Sequence, residues 1–250
     1  MHADSIAIVM PAYNESDGIL VFLEEIRDAF AGVDHEVIVV DDCSADGTAD
    51  IIDAWSAEAS SGTRVIRSAP NAGHGPTTVK ALRAGLGTGR DIILAVDGDG
   101  QFRADEMLEV CTVLSASRAD VVEGVRTHRD DPLFRRATSA ATRVLVRLRS
   151  HRGPQDANTP LRAYRPGALR TMLDLLPDDA MTPNLVISAQ SRRKHFMIIE
   201  VPVESLDRRG LTPSGTTWGQ RRRNLPTKRF VRFCLGAARQ WLGPGPGKRR

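Results

Sequence analysis

The stretch 91-DIILAVDGDGQF-102 changes character halfway along its length. Residues 92–96 are an unbroken apolar run, which suits a strand buried on both faces of a parallel sheet. Asp97, Gly98, Asp99, Gly100 and Gln101 then crowd two carboxylates, two glycines and an amide directly after the strand. Ligands of open α/β sheets sit outside the carboxyl ends of the strands, so this acidic cluster stands where a site belongs. Glycine between the carboxylates lets both turn toward one point, because it accepts backbone angles that a side chain forbids. Oxygen ligands of this kind suit Mg²⁺ or Mn²⁺, ions usually held by one or two carboxylates plus substrate phosphates. A solvated Asp-Gly turn is the competing reading of the same residues.

Outward from this stretch the same pattern repeats. Residues 5–10 (SIAIVM) predict a first strand, followed by PAYNES at 11–16, and Ile19, Phe22, Leu23, Ile26 and Phe30 then recur at helical spacing. Residues 36–40 (EVIVV) predict a second buried strand that ends in Asp41, Asp42, Cys43 and Ser44, with Asp46, Gly47 and Thr48 opening the next helix. Val65 and Ile66 mark a short third strand, and NAGHG at 71–75 leads into a helix through Leu82 and Leu86. After residue 96, Met107, Leu108, Cys111 and Leu114 mark a further helix, and DVVEG at 120–124 a further strand. Such alternation predicts an α/β fold of repeated βαβ units, with a mostly parallel sheet flanked by helices. Every polar cluster follows a strand, so all of them gather along one edge, as in nucleotide sites. A P-loop is absent, and NAGHG is not the fingerprint of a dinucleotide fold. Pyrophosphate charge would therefore be met by a metal, helix N-termini and arginines.

With 250 residues, 41% hydrophobic and 26% charged, the chain has an ordinary globular composition and length for a full core. Cys43, Cys111 and Cys234 are far apart and fit no zinc pattern, which points to a reduced, cytosolic protein without a disulfide framework. No signal-peptide pattern precedes the first strand, and no apolar run approaches the roughly 18 residues that span a bilayer. The net charge of +3 hides an asymmetry: residues 201–250 hold twelve Lys/Arg against two Asp/Glu, the first two hundred 22 against 29. Trp218 beside Arg221, Arg222 and Arg223 lacks an accompanying RNA-binding motif, so nucleic acid is not an expected partner. Leu133, Ala137, Ala141, Val144 and Leu148 recur at helical spacing, with Arg136, Arg143 and Arg147 off that stripe. Phe230, Phe233, Leu235 and Trp241 recur among Arg229, Arg232 and Arg239, before a low-complexity GPGPGKRR end. Two basic amphipathic segments predict peripheral binding to an anionic membrane surface; ordinary helices packing their stripes on the core are the alternative.

PAYNE at 11–15, VDDCSADGT at 40–48, NAGHG at 71–75 and VDGDGQ at 96–101 resemble, in order and spacing, the family 2 glycosyltransferases of GT-A fold. The nearest likeness is to the dolichyl-phosphate mannosyltransferases and related bacterial polyprenyl-phosphate glycosyltransferases, whose acidic motif also ends in Gln. Beyond about the first 125 residues the resemblance loosens. GVRTHRDDPLFRRATS at 124–139 is similar to an arginine-bearing segment before a membrane-surface helix. DANTPLRAYRP at 156–166 is similar to an Asp…Gly-Phe-Arg stretch, with Pro160 and Leu161 in place of Gly-Phe. IEVPVESLDRRGLTPSG at 199–215 resembles the strand and loop that close over the nucleotide sugar, but Thr212 and Pro213 disturb its Gly-x-Ser-Lys ending and Gly215 replaces the Lys.

The resemblance implies a GT-A domain over residues 1–215, with a nucleotide-sugar half (1–125) and an acceptor-side half (126–215), followed by a basic tail (216–250). It implies that Pro11, Tyr13 and Glu15 border the nucleotide and Asp42 contacts its base. Asp97, with Gly98, would face ribose or sugar, while Asp99 and Gln101 hold Mg²⁺ or Mn²⁺. Arg126, Arg135 or Arg136, and Ser139 would meet phosphates, and Arg209 would belong to the closing loop. The implied reaction is transfer from a GDP- or UDP-sugar to a polyprenyl phosphate, by direct displacement with inversion, at the cytoplasmic membrane face. A lipid phosphate, with a second pKa of about 6, attacks without losing a proton. A sugar or secondary-metabolite hydroxyl, the acceptor of a soluble transferase, would need a base, for which Asp156 is the candidate; a capping role for Asp156 is the alternative. His74 could touch a phosphate, but a lone histidine in a glycine loop reads more readily as incidental. A catalytically silent GT-A module that keeps the sheet for partner recognition is the reading outside enzymology.

Overall fold

The computed structural model describes residues 4–59, 62–127, 142–144, 146–147, 150, 153–210 and 236. The apolar run at its centre is strand β4 (Ile92–Ala95), buried along its whole length. β4 pairs in parallel with β1 (Ile6–Ala12), which pairs in parallel with β2 (His35–Asp41), and β2 with β3 (Thr63–Arg67). On its other side the sheet continues through β5 (Val121–Arg126), β6 (Arg162–Tyr164) and β7 (Ile198–Val203), in the order β3-β2-β1-β4-β6-β5-β7. All pairings are parallel except those of β6, which runs antiparallel to both β4 and β5.

Helices α1 (Ile19–Ala29), α2 (Thr48–Ala59), α3 (His74–Leu86), α4 (Ala104–Ala116), α5 (Pro166–Leu173) and α6 (Pro183–Arg193) cover both faces. Side chains alternate across a strand, so β1 sends Ile6, Ile8 and Met10 to one core and Ala7 and Val9 to the other. The first core packs Phe22, Leu23 and Ile26 of α1 against Met107, Val110 and Leu114 of α4. The second takes Val79 and Leu82 of α3, Leu169 and Met172 of α5 and Ile187 of α6. Each large apolar side chain so buried contributes about 1.5–3 kcal/mol, which is what the spacing of 3–4 along the helices secures. Where α1 meets α4, Glu25 Oε1 accepts the Ala104 backbone N–H at 2.9 Å, supplying the acceptor that a first-turn N–H lacks.

The mostly parallel, helix-flanked sheet is the α/β architecture that the sequence predicts; β6 is the addition. Of the first basic amphipathic segment, residues 142–144, 146, 147 and 150 are helical. Val144, placed on the apolar stripe by its spacing, is 55% exposed, whereas Val146 is buried against Ala157, Leu185 and Ala189. Leu133, Arg135, Arg136, Ala137, Ser139, Ala141 and Leu148 lie outside the described residues, as does the basic tail except Gly236. Among the described residues no helix is long and apolar enough to cross a membrane, and Cys43 and Cys111 are free.

Candidate active site

The strand order reverses between β1 and β4, and the loops that follow those two strands meet there. Gly98 N–H donates to Pro11 O at 3.1 Å, and a Cβ on Gly98 would lie 2.9 Å from that oxygen. Only glycine permits this approach, which fixes the two loops together. The loop after β1 is tied in turn to the loop after β2. Asn14, at φ 54, donates its backbone N–H to Ser44 Oγ at 2.9 Å, and its Oδ1 accepts from Ala45 N at 2.9 Å. Glu15 N–H donates to Thr48 Oγ1 and Ser16 N–H to Asp46 Oδ2, both at 3.0 Å. Asp42 extends the frame to the loop before α3: its Oδ1 accepts Ala72 N–H at 2.7 Å and its Oδ2 accepts Gly73 N–H at 2.8 Å. Pro11 and Asp42 are buried in this frame, and Tyr13 stands exposed at its mouth.

Asp97, Asp99 and Glu15 bring their negative charge to the tip of β4. Burial, and then the neighbouring Asp97 carboxylate, push Asp99 up to about 6, against the opposing pull of Arg208, the Gln101 N–H and His74. Burial pushes Glu15 up to about 7; Arg208 opposes the rise, and Asp99 and Asp97 add to it. His74 Nε2 sits 3.6 Å from Asp97 Oδ1, at the start of α3. The glycine after it is pressed against the residues before α6, where a Cβ on Gly75 would come within 2.2 Å of Ala180 O.

Residues 204–210, after β7, fold over this tip. Leu206 N–H donates to Gln101 O at 2.9 Å, and Gln101 Nε2 donates to Leu206 O at 3.2 Å. Arg209 N–H donates to Asp99 O and Arg209 Nε to Gly100 O, each at 3.0 Å. Its guanidinium pairs with Glu25 and lies 5.3 Å from the centre of the Phe22 ring. Gly100, at φ +67, leaves room for that side chain, since a Cβ there would meet Arg209 Cδ at 2.6 Å. Arg209 is thus the strut that holds the loop down, while Arg208 turns into the site and grips Glu15, with Nε donating to Oε2 at 3.1 Å. Sequence reading placed Arg209 in this loop and missed Arg208, because nothing in Asp-Arg-Arg-Gly says which guanidinium turns inward. His74 read as incidental in the sequence for a similar reason: its neighbour Asp97 is 23 positions away.

On the acceptor side, Arg126 at the end of β5 makes a two-pronged pair with Asp156: Nε to Oδ2 at 2.7 Å and Nη2 to Oδ1 at 3.2 Å. Nη2 also donates to Asn158 O at 3.2 Å. Arg126 and Asp156, both singled out in the sequence, are therefore brought together; Arg136 lies outside the described residues.

For a divalent cation the chemistry of the donor set fits. Asp99 offers carboxylate oxygens, and Gln101, with Nε2 committed to Leu206 O, offers Oε1. Among the described residues no three His, Cys, Asp or Glu side chains form a cage of their own. That suits an ion whose remaining ligands are substrate phosphates and water.

Comparison with known proteins agrees with this geometry. An undecaprenyl-phosphate 4-deoxy-4-formamido-L-arabinose transferase of Yersinia enterocolitica is 30% identical over 171 residues, 67% of this chain and 51% of that protein. This chain thus spans about half the length of that relative. An undecaprenyl-phosphate mannosyltransferase of Micrococcus luteus is 28% identical over 206 residues, 80% of this chain and 83% of that one. Among solved structures, a mannosyltransferase from Pyrobaculum calidifontis in complex with GDP-Man and Mn²⁺ shares the fold. Its TM-score is 0.58 at 20% identity, over 99% of this chain and 67% of that one. Glucosyl-3-phosphoglycerate synthase from Mycobacterium tuberculosis shares it with a TM-score of 0.57 at 24% identity, over 84% and 74%. Residues 7–172, from β1 into α5 and including the loops after β1, β2, β3 and β4, match the family model, and the chain belongs to glycosyl transferase family 2.

Proposed function

We propose that this protein transfers a sugar from a nucleotide sugar to a polyprenyl phosphate, with inversion and with the help of Mg²⁺ or Mn²⁺. The observation that carries the reading is the gathering of Asp97, Asp99 and Glu15 at the point where the strand order reverses, where Arg208 and His74 are the basic groups beside them among the described residues. Like charges held together in a partly buried cleft are relieved by a cation, and a nucleoside diphosphate brings one. The names of the Yersinia and Micrococcus relatives support the acceptor class, and the Pyrobaculum complex supports the donor class and the ion.

Asp99 and Gln101 would hold the cation, which when bound neutralises charge on the departing diphosphate. Pro11, Tyr13, Glu15 and Asp42 line the nucleotide side, and Asp97 with Gly98 faces ribose or sugar. Arg208 sits within reach of the same charges, ready to exchange Glu15 for a phosphate oxygen. On the acceptor side, two N–H groups of Arg126 Nη1 have no partner among the described residues, and they suit an anionic phosphate. Asp156 holds that guanidinium in place with both of its oxygens, a role that supports a phosphate acceptor, since a phosphate nucleophile needs no base. Arg136 and the basic segments would meet further phosphates at an anionic membrane surface.

The test is nucleotide-sugar turnover with Mn²⁺ or Mg²⁺, with and without polyprenyl phosphate in vesicles. Asp99→Ala is expected to abolish metal-dependent nucleotide binding while leaving the melting temperature near that of the wild type. Full transfer by that variant would refute the assignment, and turnover onto a soluble saccharide without vesicles would move the acceptor to a hydroxyl.

A further inference from the structure

We infer that Asn184, at the start of α6, reads a hydroxyl of the donor sugar in a small, mostly apolar notch whose polar lining it shares with Asp97 and Thr78; this rests on the donor reading above. A cavity of ≈ 10 Å³ lies between α3, the ends of β1 and β4, and the start of α6, bordered by Pro11, Thr78, Asp97, Pro160 and Asn184 among others. That is about the room one water molecule or one hydroxyl group requires. Asn184 is 7% exposed, and among the described residues no hydrogen bond reaches its side-chain amide; its backbone carbonyl alone is used, accepting from Arg162 Nη1 at 3.0 Å. Buried amides in folded proteins are normally paired, so one left open beside a cavity marks a place that a ligand or a water completes.

Asn184 also stands in the first turn of an eleven-residue helix, directly after Pro183, where backbone N–H groups have no acceptor within the helix. Its position is built rather than incidental. Arg162, fully buried on β6, donates Nη1 to Asn184 O and Nη2 to Ala157 O at 3.1 Å. Its charge faces Glu123, with Nε 3.7 Å from Oε1, and Glu123 is gripped in turn by Arg192 Nη2 at 2.7 Å. β6, β5 and the Ala157 loop are thus linked to α6 around its start. Chemically, an amide that can donate and a carboxylate that accepts match the two halves of a hydroxyl, which accepts from Asn184 Nδ2 and donates to Asp97. The donor is the source, because the notch opens against Asp97 and Pro11, which belong to the loops that frame the acidic tip, while Pro160 closes it from the side of the Asp156 loop.

The experiment compares wild type with Asn184→Ala, and with Asn184→Ser should the first fail to fold. The probes are GDP-mannose, UDP-glucose and their monodeoxy analogues in the full turnover assay, and GDP and UDP with Mn²⁺ in a binding assay. The expected result is a loss of about 5- to 30-fold in kcat/KM for the preferred nucleotide sugar, typical of one lost hydrogen bond to a charged or buried partner. Binding of the bare nucleoside diphosphate stays unchanged, and one monodeoxy donor, penalised in the wild type, loses nothing more in the variant. Equal losses for every deoxy donor, or a changed melting temperature with unchanged kcat/KM, overturn the inference and leave the notch as the seat of a structural water. Absence of any nucleoside diphosphate binding by the wild type refutes the donor reading itself, and this inference with it.

Discussion

Mn²⁺ affinity is expected to depend on pH in a window where an ordinary aspartate would show nothing. Asp99 must be ionised to take a cation, and burial together with Asp97 holds its pKa at about 6, above the roughly 4 of an ordinary aspartate. The ionised fraction therefore falls from about 0.9 near pH 7 to about 0.1 near pH 5, and the apparent affinity falls about tenfold with it. Glu15, at about 7, moves in the same direction and deepens the fall. For protein stability the sign is the opposite. In this interval the folded chain holds protons that the unfolded chain has released, so the metal-free protein gains stability as pH falls from about 7 toward about 4. Electron paramagnetic resonance of free Mn²⁺, titrated with protein at constant ionic strength, reads the affinity, and thermal melts at each pH read the stability. Asp97→Asn removes the second cause of the shift and should move the midpoint of the pH profile downward. A Mn²⁺ affinity that is flat between pH 5 and 7 would refute both the crowding of carboxylates and the place of Asp99 in the metal site.

Asp156→Ala strands the Arg126 guanidinium in a largely buried position and is expected to cost about 3 kcal/mol, a fall in melting temperature of about 6–12 °C; an unchanged melt would show that the pair holds nothing. Gly75→Ala sets a methyl group against Ala180 O and should cost about 1–3 kcal/mol in denaturant unfolding, whereas wild-type stability would mean that the start of α3 shifts freely. Glu25→Gln removes the carboxylate that pairs with Arg209, so hydrogen exchange at the Leu206 and Arg209 amides should quicken several-fold; unaltered protection would transfer the anchoring to the backbone bonds alone.

The parallel half of the sheet was legible because β1, β2 and β4 are apolar on both faces, and a doubly buried strand writes a continuous hydrophobic run. The motifs at the strand ends were legible for the complementary reason, that polar residues crowded after such a run have nowhere to go but the open edge. β6 was not legible. It is three residues long, and its first residue, Arg162, is wholly buried and balanced by Glu123 from a different strand. A charge reads as exposed until its partner is known, and the partner here is 39 positions upstream. Asp42 shows the same limit: both of its oxygens take backbone N–H groups of residues 72 and 73, a contact no side-chain pattern records. Asn184 sits in a stretch without any motif, and only the packing of α6 against α3 and β4 shows it near the acidic tip.

Because β6 runs against its neighbours, residues 127–161 leave β5 at the ligand edge of the sheet and rejoin it at that same rim. Both ends of the excursion are moored side by side, with Gly124 N–H donating to Leu161 O at 2.9 Å. An excursion that starts and ends at one rim leaves the hydrogen-bonded ladder of β1 to β4 uninterrupted whatever its length. Evolution then has a way to retarget what receives the sugar while inheriting intact the machinery that activates it, and a chimera engineer has two ready-made splice points.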